Sequence, residues 1–430
     1  MRTRTTVGIL AGLAILAALP YLRTLTLPLI SDDYMQIWLG RHYGPVDRWP
    51  ALAEDALYRC RAISILLTWW TERVFGLHPM VLNVSNLLVH ILNTWLVFAM
   101  GVWRPIGWRL AAVAAAFFAI YEGHQEAVVW YAALPETTVF FFSLAAFVFW
   151  VLWIQGGSRW HLLGSLAAFL LALGSKESGA AVVGLVLLPV WTERAALRRW
   201  LLPWLGMAAA AAAYAALIFA AKSEHLHLND GTFTLGPHFL LVMGNSFWRM
   251  FWVWGWLSVA ALALWRERSR ARLLLLAVAW AAIAFLPYSF ITYMPRVPSR
   301  HTYLASVALA WIAGAALLAL WSRAGARRVW VAGGVAAVLL VHNCGWVWIR
   351  KYDQFAERAR PTEELIRFVQ KVEGPVYVHC FPYPVLVAIW AADMRLGREV
   401  IHVQSREHAR GPVFCMPGHQ PEAVAATSAR

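Results

Sequence analysis

The sequence predicts an all-α polytopic membrane protein that ends in a small outer α/β unit. Of its 430 residues, 60% are apolar and only 14% are charged, and the mean hydropathy is +0.56. About eleven stretches are apolar enough to cross a bilayer, which takes roughly 20 residues of helix. From about residue 350 onward, short apolar runs alternate with polar helical segments. We therefore expect a transmembrane domain over residues 1–349 and a small domain over residues 350–430.

The predicted spans are runs of apolar residues that carry few or no charges. In chain order they lie near residues 7–27, 80–100, 109–121, 138–154, 161–174, 178–191, 201–221, 238–264, 272–291, 303–321 and 329–348. No small-residue cleavage site precedes Asp32, so we expect the first stretch to be a retained helix. Residues 63–76 are interrupted by Glu72 and Arg73, and we expect a helix that lies in the membrane interface.

The distribution of charge predicts the orientation, because short cytoplasmic loops collect Lys and Arg. With the N-terminus in the cytoplasm, the inner segments hold fifteen cations and two acids, whereas the outer loops between helices hold twelve acids and nine cations. The expected location is a bacterial inner membrane, with the C-terminal domain on the periplasmic or extracytoplasmic side. Anchoring to anionic lipid explains the net charge of +14, and we expect no nucleic-acid partner.

The C-terminal unit has the pattern of a small α/β domain. Its expected elements are a helix over 361–371, a strand over 376–378, a helix over 384–395 and a strand over 400–403. Cys380 and Cys415 lie on the face that is oxidising in a Gram-negative cell, so a disulfide between them is one expectation. Cys60 and Cys344 are expected to be single buried thiols.

Asp32 and Asp33 stand in the outer loop 28–79, directly after the first span. Two adjacent carboxylates raise the proton affinity of one of them, which helps that group to act as a base. The alternative is that Ser31, Asp32 and Asp33 cap a helix that begins at Tyr34. Capping requires only one such residue, so we favour a functional interpretation, and both can hold.

Five motifs occur in the order in which they are found in type-C (GT-C) glycosyltransferases. They are Asp32-Asp33-Tyr34, Tyr58-Arg59, Phe75-Gly76-Leu77-His78-Pro79 with Asn86 and His90, His124-Gln125-Glu126-Ala127-Val128-Val129-Trp130, and Ser175-Lys176-Glu177. Over about residues 10–310 the chain most resembles the protein O-mannosyltransferase branch, including its tetratricopeptide-carrying transmembrane members. It differs from those members in having no tetratricopeptide repeats after the membrane part.

The resemblance implies an all-α GT-C-type enzyme that takes a sugar from a polyprenyl-phosphate carrier. Transfer with inversion to an acceptor hydroxyl would occur on the outer face, and the acceptor would be a cell-envelope glycan, a lipid or a protein. Asp32 would be the base, with Asp33 orienting it or binding the sugar or a metal. Glu126 corresponds to a second acidic position of the family, where it would hold the acceptor or share a metal.

Two neighbours of Glu126 are candidates for acceptor or sugar binding. His124 belongs to the same outer loop, and the indole of Trp130 is suited to stacking on a sugar ring. The alternative for Glu126 and His124 is that they are solvated or pair with an outer arginine. The alternative for Trp130 is membrane-interface packing, which accounts for most tryptophans in such chains.

A departing lipid phosphate calls for cations near the membrane surface. The candidates are Lys176, Arg296, Arg300, Tyr303 and Arg59. Arg300 and Tyr303 loosely match an Arg-x-x-Tyr pattern of the family. The alternative for Lys176 is a salt bridge to Glu177 or another neighbour, and the alternative for Arg59 is interfacial anchoring.

A divalent metal ion is a minority expectation. His225 and His227 stand close to Glu224 and Asp230 in the outer loop that begins at Lys222, and such a set could hold zinc or another divalent ion. His-x-His is also common in ordinary loops, so the same residues have an unremarkable alternative.

Two other classes of function remain open from the sequence. A transporter or flippase of lipid-linked sugars would place charge near the bilayer midplane and often shows two similar halves. Here the acids crowd the outer face and the halves do not match. An inactive relative that serves as a scaffold is the third class, and the intact Asp32, Asp33 and Lys176 count against it.

Overall fold

The structure is a computed structural model that describes residues 3–223, 226–265, 270–398, 400–402 and 410–416. In chain order its α-helices are α1 (Thr3–Ala18), α2 (Asp32–Tyr43), α3 (Trp49–Glu54), α4 (Ala62–Phe75), α5 (Pro79–Ala99), α6 (Gly107–Ile120), α7 (Gln125–Val129), α8 (Leu134–Ile154), α9 (Arg159–Leu173), α10 (Val182–Leu185), α11 (Leu187–Glu193), α12 (Leu197–Ala220), α13 (Leu226–Asn229), α14 (Phe239–Leu264), α15 (Arg270–Phe285), α16 (Ser306–Arg323), α17 (Arg328–Gly345), α18 (Tyr352–Lys371) and α19 (Val385–Leu396). Short 3-10 turns link several of them, and a π-helical turn joins α17 to α18.

Eight helical segments in the described part of the chain are long and apolar enough to cross a membrane. They are Arg4–Thr26, Pro79–Val102, Tyr131–Ile154, Leu197–Ala220, Phe239–Leu264, Ala271–Tyr288, Ser306–Arg323 and Gly325–Lys371. Two further predicted spans are the shorter apolar helices α6 and α9. The chain is therefore a multi-pass membrane protein, as its composition predicts.

The predicted span at residues 178–191 does not form a continuous helix. A 3-10 turn, Glu177–Ala181, is followed by the two short helices α10 and α11. Within the turn, Gly179 lies so close to α9 that a Cβ atom there would approach the carbonyl group of Ala172 to 2.6 Å. This close approach requires glycine, and it places the neighbouring Lys176 against the membrane helices.

Connections that the charge pattern assigns to one face lie together in the structure. Among those assigned to the inner face, Arg104 pairs with Glu193 at 3.0 Å. Among those assigned to the outer face, the backbone N–H of Ile63 donates to the carbonyl of Gly174 at 3.0 Å. The grouping agrees with the predicted topology, while the side of the membrane that each group faces stays a prediction.

The helix expected at residues 63–76 is present as α4. It ends at Gly76, whose φ of +76° is favourable for glycine at a helix C-terminus. One side of α4 packs on α2, where the side-chain amide of Gln36 donates to Thr68 Oγ1 at 3.0 Å. Trp70 is exposed. A packed side and an exposed indole are what an interfacial helix requires.

The C-terminal unit contains a three-stranded parallel sheet. Its strands are β1 (Val376–Cys380), β2 (Val400–His402) and β3 (Val413–Cys415), in the order β2-β1-β3. The expected disulfide joins Cys380 to Cys415, and α19 lies close to the predicted bounds. Strand β3 was not expected, because three residues after a Gly-Pro pair carry almost no periodic signal.

The C-terminal unit packs closely against the membrane part. Helix α18 begins at Tyr352 and continues α17 through the π turn, so the expected domain boundary falls inside one long helical segment. Phe355 and Ala359 of α18 belong to the same buried apolar cluster as the membrane helices. In addition, Trp390 of α19 stacks on Trp38 of α2 with 5.2 Å between ring centroids. The unit therefore rests on the helix that carries Asp32.

Candidate active site

The carboxylate pair lies at the first turn of α2, after a residue with unusual backbone geometry. Ser31 has φ +39° and ψ −103°, in a region that residues other than glycine rarely adopt. Its hydroxyl does not cap the helix and instead donates to Asp32 Oδ1 at 3.1 Å. The capping alternative is thus not realised by Ser31. Asp32 is half-exposed, whereas Asp33 is fully buried.

The side chain of Asp33 connects two segments of the chain through hydrogen bonds. Its Oδ2 accepts the backbone N–H of Ile30 and its Oδ1 accepts that of Ala132, both at 2.7 Å. Burial raises the pKa of Asp33 to about 7 against the opposing effect of these hydrogen bonds, and the charge of Asp32 raises it further. Since both oxygens of Asp33 are engaged, Asp32 is the half-exposed carboxylate that remains available to a ligand.

A cavity of about 440 Å³ lies between the membrane helices and α18. Its charged lining residues are Glu122, Glu126, Arg249, Arg296, Arg300, Lys351 and Arg358. Five cations face two acids, so the cavity favours an anion. Asp32 and Asp33 do not line it, although the charge of Arg358 acts on Asp33 and lowers its pKa.

Glu126 is part of the cavity wall and is engaged by the neighbouring loop. Its Oε1 accepts from the guanidinium of Arg300 at 3.1 Å, and its Oε2 accepts from the hydroxyl of Ser299 at 2.7 Å. Burial alone would raise the pKa of Glu126, but the charge of Arg300 and the hydrogen bonds outweigh it and hold that pKa below its usual value. Glu126 thus orients Arg300, which realises the predicted alternative of pairing with an outer arginine.

Trp130 lies between two arginines. The guanidinium of Arg358 is 4.4 Å from the centroid of its ring and that of Arg300 is 5.0 Å away. The indole therefore positions cations, an arrangement that contributes about 0.5–2 kcal/mol in such pairs. Stacking on a sugar, the role predicted from the sequence, would have to compete with these two contacts.

His124 and Tyr303 are buried in an aromatic cluster and do not line the cavity. His124 Nε2 lies 2.7 Å from the hydroxyl of Ser306, and the hydroxyl of Tyr303 lies 2.5 Å from His90 Nδ1. The rings of His124 and Tyr303 pack with 4.6 Å between centroids. The structure therefore places both side chains in the packing that supports the site. In this position His124 does not face the cavity as the predicted sugar contact would, and Tyr303 does not face it as the predicted phosphate contact would.

Lys176 belongs to a buried polar network centred on Glu136. Its Nζ pairs with Glu136 Oε1, and His301 Nδ1 lies 2.5 Å from the same oxygen. The hydroxyl of Tyr288 donates to Glu136 Oε2 at 2.6 Å and lies 2.7 Å from Ser178 Oγ. The predicted salt bridge of Lys176 exists, but its partner is Glu136 and not Glu177. A phosphate bound by Lys176 would therefore have to compete with the carboxylate of Glu136.

Of the remaining predicted residues, Arg296 lines the cavity, whereas Arg59 does not and donates to the carbonyl of Leu217 in α12 at 2.6 Å. The metal prediction is untested, because His225 lies outside the described residues and the side chain of His227 is not described. In the described ranges there is no group of three His, Cys, Asp or Glu side chains close enough to share an ion.

Four charged cavity residues were not among the site residues predicted from the sequence. They are Glu122, Arg249, Lys351 and Arg358. Arg249 carried a usable signal, since an arginine inside the apolar helix α14 is costly without a function. Glu122 is 6% exposed, and its Oε2 has no hydrogen-bond partner among the described residues. Burial raises its pKa to about 7 against the opposing charges of Arg249 and Lys351.

Comparison with known proteins finds a match at the level of structure. No protein-family model and no curated protein sequence matches the chain. The crystal structure of ArnT from Cupriavidus metallidurans bound to undecaprenyl phosphate aligns with a TM-score of 0.52 at 17% identity, over 95% of this chain and 87% of that one. The apo structure of ArnT from the same organism aligns with a TM-score of 0.55 at 16% identity, over 94% and 87%. The predicted GT-C-type fold class is thereby confirmed, and the chain has the fold of ArnT.

Proposed function

We propose that this protein is an inverting glycosyltransferase that moves a sugar from a polyprenyl-phosphate carrier to an acceptor hydroxyl. The observations that carry the proposal are the half-exposed Asp32 on a strained turn and a cavity with five cations, one of which, Arg358, acts through its charge on the neighbouring Asp33. Attack on a sugar phosphate requires both a base and an anion site. The ArnT structure with undecaprenyl phosphate supports the choice of carrier.

In the proposed reaction Asp32 accepts the proton of the acceptor hydroxyl as that oxygen attacks the anomeric carbon. The bond between this carbon and the phosphate oxygen breaks on the opposite side of the ring, which inverts the configuration. The polyprenyl phosphate leaves with the electron pair. Arg296 and Arg300 are suited to stabilise the growing charge on its oxygens, because a guanidinium matches phosphate geometry.

The placement in the cell follows from the charge pattern and is part of the proposal. The site lies among connections that carry most of the acids, while the opposite connections carry an excess of Arg. We place the site on the outer face of a bacterial inner membrane, with the N-terminus in the cytoplasm. The acceptor then belongs to the cell envelope, as a glycan, a lipid or a protein.

The identity of the transferred sugar can be determined in the same assay that tests for transfer. The order of the sequence motifs resembles the protein O-mannosyltransferase branch, which makes mannose the first sugar to test, and both hexose and pentose donors belong in the panel. One further reaction would contain a chelator, to test whether transfer requires the predicted divalent metal ion.

Purified protein in lipid nanodiscs would be incubated with radiolabelled polyprenyl-phosphate sugars and candidate acceptors. We expect transfer by the wild type and a loss of at least a hundredfold in Asp32→Asn, consistent with the usual contribution of a general base. Transfer that survives Asp32→Asn would remove Asp32 from the base role. A wild type that moves the intact lipid-linked sugar between leaflets, without transfer to any acceptor, would favour the flippase alternative.

A further inference from the structure

Helix α18 carries Gln354, Phe355 and Arg358 to the wall of the cavity from outside the predicted membrane domain. The helical segment that begins in α17 continues through the π turn, and it presents Arg358 between the buried residues Phe355 and Ala359. Arg358 lines the cavity together with Arg300. The anion site is therefore built jointly by the membrane helices and by the helix that leads into the C-terminal unit.

Contacts on several sides fix the position of Arg358. Its guanidinium lies 4.4 Å from the ring centroid of Trp130 and 5.5 Å from that of Phe355. Its backbone carbonyl accepts a hydrogen bond of 2.6 Å from the hydroxyl of Tyr383, which stands just after β1. The C-terminal unit thus anchors the backbone and the membrane domain holds the side chain.

Arg358 shares with Arg249 a half-buried guanidinium that has no ion pair or hydrogen bond among the described residues, and both differ in this from Arg300 and Lys351. Arg300 is paired with Glu126, Lys351 donates to Gln354 at 2.9 Å, and Arg296 is exposed. For Arg358, which is half-buried, the described residues provide neither an ion pair nor a hydrogen bond to the guanidinium. A guanidinium that packs on an aromatic ring keeps its N–H edge available for phosphate oxygens.

We propose that Arg358 binds the phosphate group of the polyprenyl-phosphate donor. This inference rests on the proposed function and adds a donor contact from beyond the predicted membrane domain. It makes the C-terminal unit part of the substrate site, because Tyr383 and α18 together set the position of Arg358. It also joins the cavity to the carboxylate pair, since Arg358 is the lining cation whose charge reaches Asp33.

The test measures lipid binding and does not require sugar transfer. Full-length protein in nanodiscs is titrated with undecaprenyl phosphate and, separately, with undecaprenol, which has the same chain without the phosphate. We expect Arg358→Ala to weaken binding of undecaprenyl phosphate by about tenfold or more, the usual effect of losing a hydrogen bond to a charged group. Binding of undecaprenol is expected to be unchanged.

Two further variants keep the result interpretable. Arg358→Lys retains the charge without the two-pronged geometry, and we expect affinity between those of the wild type and Arg358→Ala. Arg360→Ala is the matched control. Arg360 lies on the same helix but does not line the cavity, and its Nε pairs with Glu364 Oε1 at 3.0 Å. It is expected to bind as the wild type does.

The proposal is overturned if Arg358→Ala binds undecaprenyl phosphate as tightly as the wild type does, or if both lipids lose affinity equally. A wild type with no preference for undecaprenyl phosphate over undecaprenol overturns it as well. Phosphate-dependent binding that requires Arg358, in a protein that transfers no sugar, supports this inference and counts against the proposed function. The two claims can therefore fail separately.

Discussion

At the scale of single residues, the two neighbouring aspartates have different partners and should have different mutant phenotypes. Asp33 accepts two backbone hydrogen bonds in a buried setting, and an asparagine can accept only one of them. We expect Asp33→Asn to lose about 1–3 kcal/mol of stability, the cost of an unpaired buried donor. Asp32→Asn should keep the wild-type melting temperature and lose transfer.

Melting of the purified variants in detergent, followed by tryptophan fluorescence, checks this prediction. A melting temperature for Asp32→Asn that falls as far as that of Asp33→Asn would show that Asp32 is also structural. In that case, loss of transfer in Asp32→Asn could no longer be assigned to a missing base.

Glu122 should make stability depend on pH. Its pKa is raised from 4.5 to about 7, so the folded state binds the proton more tightly than the unfolded state does. The resulting stabilisation is complete below pH 4.5 and disappears as pH rises through 7, with a full extent of roughly 3 kcal/mol. Glu122→Gln should therefore melt like the wild type at pH 5 and above it at pH 8. A melting difference that does not change between these pH values would contradict the assignment.

Glu126 provides the matched comparison on the same loop. Burial would raise its pKa, but Arg300 and the hydrogen bonds hold that pKa below the usual value, so the sign is opposite. Its stabilisation is present above the ordinary pKa of glutamate and is lost as the solution is acidified through the folded-state pKa. Glu126→Gln should accordingly melt below the wild type at pH 8, and the gap should narrow at low pH.

At the scale of elements, the network around Glu136 joins α8 to the turns that flank α10 and α16. Removing one partner of a buried pair leaves an uncompensated charge, which costs about 3–5 kcal/mol. Glu136→Gln should therefore be strongly destabilised, because Lys176 would keep its charge without a carboxylate. The double variant Lys176→Met with Glu136→Gln should recover most of the loss, since a neutral replacement of the whole pair is often harmless.

Thermal melting measures the recovery, and binding of undecaprenyl phosphate to the double variant adds a second readout. A double variant that is stable and still binds the lipid would limit Lys176 to a structural role. One that is stable but fails to bind would restore the predicted phosphate contact of Lys176.

The sequence predicts elements more reliably than it predicts the contacts between them. The spacing of apolar residues and the charges that flank them were sufficient to predict α4, which begins and ends within a residue of the expected helix at 63–76. They failed at residues 178–191, where Gly179 packs against α9 and interrupts the helix. Close packing of two backbones leaves no periodic signal in either segment, so it could not have been expected.

The site shows the same limit. The outer loops revealed Asp32, Glu126 and Arg300 because charged residues are rare in this chain. Arg358 was missed because a charged residue on an outer helix is ordinary by composition. Only the continuation of α17 into α18 brings it to the cavity, and the orientation of a helix beyond the membrane depends on packing that a single sequence does not display.

At the scale of the whole molecule, the C-terminal unit packs against the membrane domain around the proposed site. Trp390 packs on α2, Tyr383 holds α18, and the disulfide between Cys380 and Cys415 ties β1 to β3. The unit therefore reaches both the helix of the carboxylate pair and the cationic cavity. Its covalent closure favours an oxidising compartment, which agrees with an outer location.

This location can be tested with two single cysteines in exposed positions. Ala53 lies in α3 among the outer connections, and Ala326 lies between α16 and α17 among the inner ones. Background labelling should be low, because Cys60 and Cys344 are buried and the other two cysteines form the disulfide. A thiol reagent that does not cross membranes should label Ala53→Cys in intact spheroplasts and Ala326→Cys only after lysis. The reverse pattern would invert the topology, and a site facing the cytoplasm could not serve an acceptor of the outer envelope.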